Sequence, residues 1–416
     1  MSKKVLVLGL GQNNFLSFLY STLKKFDSSF SISVPFFNEI TSNSVNETWM
    51  YDNGKIVFKN TIISFLQSVT FCLFSKHFYE TFFFILFVEK KIGKSFHFCF
   101  EHFKAKAFFI QNNNFHDYDT FHFHFMQYSY LRELFLVPKN KKIVCSFWGS
   151  DLLRTSDILN FYFVKKALNK ATIITCQSEE LKEIVLSKFG RNLIDKIEIV
   201  IFPIYDKVYN LMDLNYNNQE NINRFKTNFN YSLNKINVLI GHSGSISNNH
   251  LKIINSLESF KNKDKIHLII NLNYAITATE KETYKKELFN ALNKLNYSYV
   301  ILENFFIDDE LAISRLSSDI FIHTPISDAL SGTMLELLYA SNIVITGSWL
   351  PYKTFRKASL NYYEINDFME LAEKLDSIIE NFESEKNVAS KNKFSIREHF
   401  ITNNDIKKWS KILSNN

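Results

Sequence analysis

The most constraining feature of this chain is an alternation, made twice, between short unbroken apolar runs and stretches of helical period. Val5–Leu8 runs into Gly9 and Gly11, and a helical pattern follows over Phe15–Phe26. A brief run that is apolar at consecutive positions and closed by glycine marks a parallel strand covered on both faces. Thr120–Phe125, Lys142–Phe147, Thr172–Cys176 and Ile197–Ile201 repeat the signal, with helical segments at Asp157–Asn169 and Ser178–Lys188. A second set opens at Ile236–Ile240 and continues through His267–Asn271, Tyr299–Leu302, Ile320–His323 and Ile343–Thr346. Helical patterns at 248–260, Glu280–Leu295, Asp308–Leu316 and Gly332–Ala340 separate those runs.

Strand–helix alternation of this kind predicts an α/β chain of two Rossmann-like, doubly wound domains facing each other across a cleft. The expected division is 1–205 for the first domain, 206–395 for the second and 396–416 for a C-terminal helix, with Arg397–Leu413 helical in pattern. Residues 204–230 are rich in Asn, Tyr and Asp without clear period and read as the connection. Two domains also suit the length, because 416 residues exceed what one core holds. Ligands of such sheets bind at the carboxyl ends of the strands.

Composition excludes several classes. At 46% hydrophobic and 22% charged the chain is globular, and its net charge, 48 − 42 = +6, is too small and scattered for nucleic acid. It suits phosphorylated ligands or an anionic membrane surface. Cys72, Cys99, Cys145 and Cys176 lie far apart, which predicts reduced thiols in a cytoplasmic protein rather than a disulfide framework or structural zinc. The N-terminus enters a strand pattern directly, without a signal peptide's apolar core and cleavage site. Many of the 43 Phe fall between residues 57 and 125. Thr61–Ser75 is interrupted by Ser64, Gln67 and Ser68, and Thr81–Val88 is short, so neither reaches the roughly 20 apolar residues of a span. With Lys90, Lys91 and Lys94 behind them they read either as core helices or as a peripheral, salt-sensitive contact with the inner face of the membrane.

Three motifs carry chemistry. Ile326-Ser327-Asp328-Ala329-Leu330-Ser331-Gly332-Thr333-Met334-Leu335-Glu336 follows a strand and opens a helix. Ser331, Gly332 and Thr333 present backbone N–H groups where the helix dipole favours an anion such as pyrophosphate, and Asp328 and Glu336 flank that turn. The competing reading is a Ser N-cap with acids on a solvated face. Gly241-His242-Ser243-Gly244-Ser245-Ile246-Ser247 also sits between strand and helix; Gly241, Ser243, Gly244 and Ser245 are candidates for close backbone approach and hydroxyl donation to phosphate, with Ser247 as N-cap. Trp148-Gly149-Ser150-Asp151 lies at a strand end, where Asp151 would be a general base or the cap of the next helix, and Arg154 a partner of Asp151 or of a diphosphate. His122 and His124 alternate with Phe121, Phe123 and Phe125 and share one strand face without a third metal ligand nearby. Asp117 and Asp119 precede a strand and read as loop caps. No metal and no other cofactor is expected.

The first motif resembles the acidic-x7-acidic signature of the family-four GT-B glycosyltransferases, with Asp328 in place of the usual first Glu, and Leu311–His323 resembles the segment before it. That resemblance implies donor-sugar contact at Asp328, phosphate contact at Ser331, Gly332 and Thr333, and ribose contact at Glu336. It makes 206–395 the donor domain and 1–205 the acceptor domain. The second motif resembles the glycine–serine stretch of bacterial TDP-fucosamine-type (acetamidofucosyl) transferases, which invert, whereas most family-four enzymes retain. The third resembles the W-G-S/A-D segment of bacterial surface-polysaccharide transferases, and the resemblance puts His124 in the place of the cleft-edge His of many glycosyltransferases, a candidate catalytic residue beside Asp151. The implied partners are a nucleotide diphosphate-sugar and a glycan or lipid-linked acceptor. A nucleotide-sugar epimerase of the same fold, or a non-catalytic partner of a polysaccharide assembly complex, are the alternatives; hydride transfer is disfavoured because Gly9-Leu10-Gly11 lacks a third glycine.

Overall fold

The computed structural model describes residues 3–9, 14–36, 55–57, 62–111, 117–402 and 405–414. The chain divides into two compact units, Met1–Pro203 with Asn404–Asn416, and Ile204–Asn403.

The first unit holds a parallel sheet of β1 (Lys3–Gly9), β2 (Phe30–Phe36), β3 (Lys55–Val57), β4 (Thr120–His124), β5 (Lys142–Ser146), β6 (Ile173–Cys176) and β7 (Ile197–Ile199), ordered β3-β2-β1-β4-β5-β6-β7. Val5–Leu8 is buried throughout because β1 is central. Gly9 lies opposite His124 in the ladder with φ +84°, and a Cβ there would meet the His124 carbonyl oxygen at 2.2 Å. Only glycine fits that approach; Gly11 lies outside the described residues. The sequence pattern misses β2 because Ser31 and Ser33 break the continuous apolar run that marks a central strand.

The expected C-terminal element at 396–416 splits. Asn392–Ile396 and Arg397–Thr402 stay with the second unit, where Arg397 bonds Asp213 and Tyr339. Helix Ile406–Leu413 completes the first unit instead. Its buried Trp409 donates to the Ile201 carbonyl at 2.9 Å and stacks on Phe202, while Asp405 accepts the Ile201 N–H at 2.9 Å. Burial of one large aromatic side chain decides where this segment goes.

In the second unit β8 (Ile236–Ile240), β9 (Ile266–Asn271), β10 (Tyr299–Leu302), β11 (Ile320–His323), β12 (Ile343–Gly347) and β13 (Tyr363–Ile365) form a parallel sheet ordered β10-β9-β8-β11-β12-β13. The reversal of order at β8 and β11 sets the carboxyl ends of these two strands at the switch point. Residues 204–230 are not a bare connection: Asp206–Asn215 and Gln219–Asn228 are helices beside Asp308–Ser317. Val208 and Met212, then Ile222 and Phe225, are their buried helical pairs, diluted by enough Asn to hide the period.

Between β3 and β4, helices Ile62–Leu73, Lys76–Phe83 (continued by the wider turn Phe84–Val88) and Ile92–Gln111 form an aromatic layer. Phe78, Ile85 and Phe98 are buried within it. Among the described residues no single helix is long and apolar enough to cross a membrane. Cys72, Cys145 and Cys176 are buried and Cys99 half-buried, all as free thiols. Asp119 accepts the Lys4 N–H at 3.0 Å and so ties the start of β4 to β1.

Candidate active site

The turn after β11 is built on a buried strand end. Ser331 caps helix Gly332–Tyr339, its hydroxyl accepting the Met334 N–H at 3.2 Å. The N–H groups of Gly332 and Thr333 then have no intrahelical acceptor, and both residues are at least partly exposed. This is an eight-residue helix start aimed at solvent, with the partial positive charge that an anion seeks.

Asp328 stands before that turn. Its Oδ2 accepts from Tyr352 Oη at 3.0 Å and His323 Nε2 at 3.1 Å, and its Oδ1 from the Ala329 N–H at 2.8 Å. His323 Nε2 and Tyr352 Oη are themselves 2.9 Å apart, so the three groups form a closed triangle. Burial alone raises a carboxyl pKa, but here the His323 hydrogen bond and the electrostatic effect of the His323 and His242 rings outweigh it and hold Asp328 at about 2. The side chain keeps 26% of its exposure, so an ionised acceptor still reaches solvent.

Glu336 lies one turn into the helix. Arg315 grips a single oxygen of it, Oε2, through Nε at 2.9 Å and through its second guanidinium nitrogen at 2.8 Å. Oε1 takes no part in that pair. Tyr274, after β9, lies within electrostatic reach of Arg315, Glu336 and Asp328 alike, and its exposed ring meets Phe305 edge-on at 5.8 Å between centroids. Asp328, the helix start and Glu336 therefore surround one patch at the carboxyl edge of this sheet. Sequence reasoning named the two acids and the turn but missed Arg315, His323, Tyr352 and Tyr274. His323 carried a readable signal, as a polar residue ending an apolar strand; Tyr352 and Arg315, 24 residues after and 21 before the acids they hold, carried none.

The loop after β8 lies beside this turn, the Ile326 N–H donating to the Ser247 carbonyl at 2.9 Å. Its small residues serve the loop itself. A Cβ on Gly241 (φ +64°) would meet His250 Nε2 at 2.4 Å, and one on Gly244 would meet Ile276 at 2.5 Å. The buried Ser243 accepts from Asn248 Nδ2 at 2.9 Å through both its carbonyl and its hydroxyl, and Ser245 bonds Ser247 at 2.8 Å. Ser247 is not the N-cap expected of it: helix His250–Ser256 starts from Asn249 in the left-handed region, and Asn249 Nδ2 reaches the Thr324 carbonyl at 2.8 Å. His242 sits 5.5 Å from the His323 ring. Of the four candidates here, Ser245 alone is more than slightly exposed.

The first unit treats its candidates differently. Asp151 is 1% exposed. Its Oδ1 accepts the Trp148 and Gly149 N–H groups at 2.9 and 2.8 Å, and its Oδ2 the Met126 N–H at 2.7 Å. In place of a base open to an acceptor, the structure gives a carboxylate spent on three backbone donors that fasten the β4 and β5 loops. Burial pushes Asp151 up to about 6 against the lowering effect of those donors. Gly149, at φ +117°, makes the tight turn that the cap requires.

His124 is likewise enclosed. Trp148 Nε1–H donates to its Nδ1 at 3.2 Å, which places the ring proton on Nε2. Nε2–H then donates to Tyr20 Oη at 2.7 Å, Tyr20 to His122 Nδ1 at 2.8 Å, His122 Nε2–H to Ser146 Oγ at 2.7 Å, and Ser146 to Thr175 at 2.6 Å. The chain has one direction, set by the donor-only indole. Burial holds both imidazoles neutral, His122 at about 3 and His124 well below its ordinary value. The shared strand face expected of these histidines is present, but His124 is a link in a closed network and not an imidazole free to take an acceptor's proton.

No family model matches the sequence, and no curated protein matches it in sequence. Solved structures do match the fold. A glycosyltransferase from Rickettsia africae superposes with a TM-score of 0.70 at 14% identity, over 99% of this chain and 98% of its own. Anabaena HepE, in complex with UDP and glucose, matches at 0.64 and 13% over 99% and 98%. A UDP-forming α,α-trehalose-phosphate synthase from Burkholderia vietnamiensis matches at 0.64 and 9% over the same shares. These are GT-B glycosyltransferases. The chain has the GT-B fold. In that architecture of two parallel α/β units, the Asp328–Glu336 turn lies at the switch point of the second sheet.

Proposed function

We propose that this GT-B chain is a glycosyltransferase that moves a sugar from a nucleotide diphosphate-sugar to a glycan or lipid-linked acceptor in bacterial surface polysaccharide synthesis. The observation that carries the reading is the helix start at Gly332 and Thr333 set between two held carboxylates, Asp328 and Glu336. The diphosphate sits on the backbone N–H groups, which stabilise the charge that grows on the leaving group as the glycosidic bond breaks. Asp328, ionised, accepts sugar hydroxyls. Glu336, steadied by Arg315, accepts the ribose hydroxyls through Oε1. Gly241, Ser243, Gly244 and Ser245 shape the facing loop, with Ser245 the hydroxyl best exposed to a phosphate. Asp151 and His124 act as positioning residues that fix the Trp148–Gly149 loop on the acceptor side. No metal enters this scheme. The enzyme works on the cytoplasmic side, in contact with the inner face of the membrane where a lipid-linked acceptor resides.

UDP-sugars are the first donors to test, because HepE is complexed with UDP-glucose and the synthase is UDP-forming. Calorimetry with a panel of nucleotide sugars, followed by product analysis with and without acceptor, decides the matter. Nucleotide-sugar binding with transfer to an acceptor is expected; conversion of the donor to an isomeric sugar without any acceptor makes the chain an epimerase, and no binding across the panel ends the proposal.

A further inference from the structure

The aromatic layer between β3 and β4 buries only part of its apolar surface. Phe74, at the corner where the arms Leu66–Leu73 and Lys76–Val88 meet at 84°, is 87% exposed. Phe87 and Phe96 are 66% and 65% exposed, and Ile63, Phe71 and Ile92 are exposed as well. Part of this surface is one chain of rings: Phe83 stacks on Tyr79 and Phe87 at 6.3 and 5.6 Å, and Phe82 links Phe83 to Phe96 at 5.5 and 6.5 Å. An apolar patch of this kind on a globular protein marks an interaction site.

Its charges say with what. Every acid between residues 62 and 111 is committed: Glu80 to Lys166, Glu89 to Lys94 at 2.9 Å, and Glu101 to Arg132 at 2.5 Å. Lys94 is further tied to Asp157 at 3.4 Å, which withdraws it from the basic trio that the sequence presents. Lys76 and Lys91, whose amines lie 3.7 Å from Glu80 and 3.9 Å from Glu89, keep 90% and 63% of their side-chain exposure, and Lys90 is exposed beside them on the rim. A second copy would set this lysine rim against its own image, whereas anionic headgroups complement it.

We propose that this bent helical pair and helix Ile92–Gln111 form a wedge that enters the interfacial layer of an anionic bilayer, with Phe74 and Phe87 leading and the lysines at headgroup level. The inference rests on the proposed membrane contact and deepens it. Apolar burial, insensitive to salt, carries most of the binding, in place of the lysine-led contact that salt would dissolve.

The test is co-sedimentation of the full chain with vesicles of phosphatidylcholine alone and of equal parts phosphatidylcholine and phosphatidylglycerol, at low and high salt. Wild type should bind the anionic vesicles and retain much of that binding at high salt. Phe74→Ser with Phe87→Ser should cut partitioning by roughly tenfold or more per Phe. Lys90→Gln with Lys91→Gln should cost roughly fivefold or more per lysine on anionic vesicles at low salt and little on neutral ones. Vesicle binding unchanged in the Phe variant, complete release by salt, or a wild-type dimer that the Phe variant dissociates would each overturn the wedge. Circular dichroism confirms that the variants fold. Nucleotide-sugar affinity, measured on the same preparations, reports on the transferase reading separately, since that binding and vesicle binding can each fail alone.

Discussion

Asp151 and Asp328 are the same residue type, each just beyond a strand's carboxyl end, and their surroundings drive them in opposite directions. Asp151 is sealed from water and faces three uncharged backbone donors; burial wins and its pKa rises to about 6. Asp328 keeps a quarter of its exposure and faces an imidazole and a phenol; the His323 hydrogen bond and the electrostatic effect of His323 and His242 outweigh burial and it falls to about 2. The first is a fastening of loop to loop. The second is an ionised acceptor held ready. A carboxylate's role follows from whether its donors saturate it inside the fold or only orient it toward solvent.

Removing the fastening should have the largest effect. Asp151→Ala strands three buried N–H groups and should lower stability by about 3 kcal/mol or more, at about 1 kcal/mol or more for each unsatisfied donor. Denaturant unfolding measures it, and a loss under about 1 kcal/mol would erase the contrast between the two acids. Asp151→Asn is not the innocent swap that capping alone implies, because one of its atoms becomes an NH2 facing either Met126 N–H or the Trp148–Gly149 pair.

Glu336→Ala should weaken nucleotide-sugar binding roughly ten- to a hundredfold, the value of a hydrogen bond to a charged group. Stability should change less than for Asp151→Ala, since Arg315 is not fully buried. Unchanged calorimetric affinity for the best donor would remove Glu336 from the site.

Acid should act on the two carboxylates with opposite sign. Asp151, with its folded pKa raised above the ordinary 3.8, contributes stability at low pH that is lost as pH rises from about 4 through about 6. Asp328, with its folded pKa depressed, contributes stability above about 4 that is lost as pH falls toward about 2. Melting curves of wild type and Asp151→Asn across pH 4 to 7 should converge as pH rises, the wild type's advantage shrinking by about 1–3 kcal/mol. A pH-independent gap would place the Asp151 carboxyl at its ordinary value.

The smallest effect is expected of Tyr352→Phe. It deletes one donor to Asp328, worth about 0.5–1.5 kcal/mol, and should weaken a nucleotide sugar several-fold while leaving the free nucleoside diphosphate unchanged. Equal losses for both ligands would show that Asp328 does not distinguish the sugar.

The strands and most helices of the second unit were legible because continuous apolar runs and glycine-closed turns report their surroundings locally. β2 and the helices at 206–228 were not, since serine and asparagine dilute their apolar period and burial is supplied by neighbours distant in sequence. The acidic pair at 328 and 336 was legible as spacing. Whether Asp151 caps or catalyses was not, because the Met126 N–H that completes its shell comes from another loop 25 residues away.

The sequence by itself determined that two parallel α/β units form, that a helix begins at Gly332, and that two acids bracket it, since each rests on patterns spanning a few residues. Only the tertiary structure decided which polar groups are spent inside the fold. Tyr20 closes the histidine network from 102 residues away, Trp409 draws the C-terminus back to the first unit across 208 residues, and Arg315 and Tyr352 reach the acids from other elements. Hydrogen-bond saturation and burial are properties of contacts between segments, and a linear pattern records only the segments.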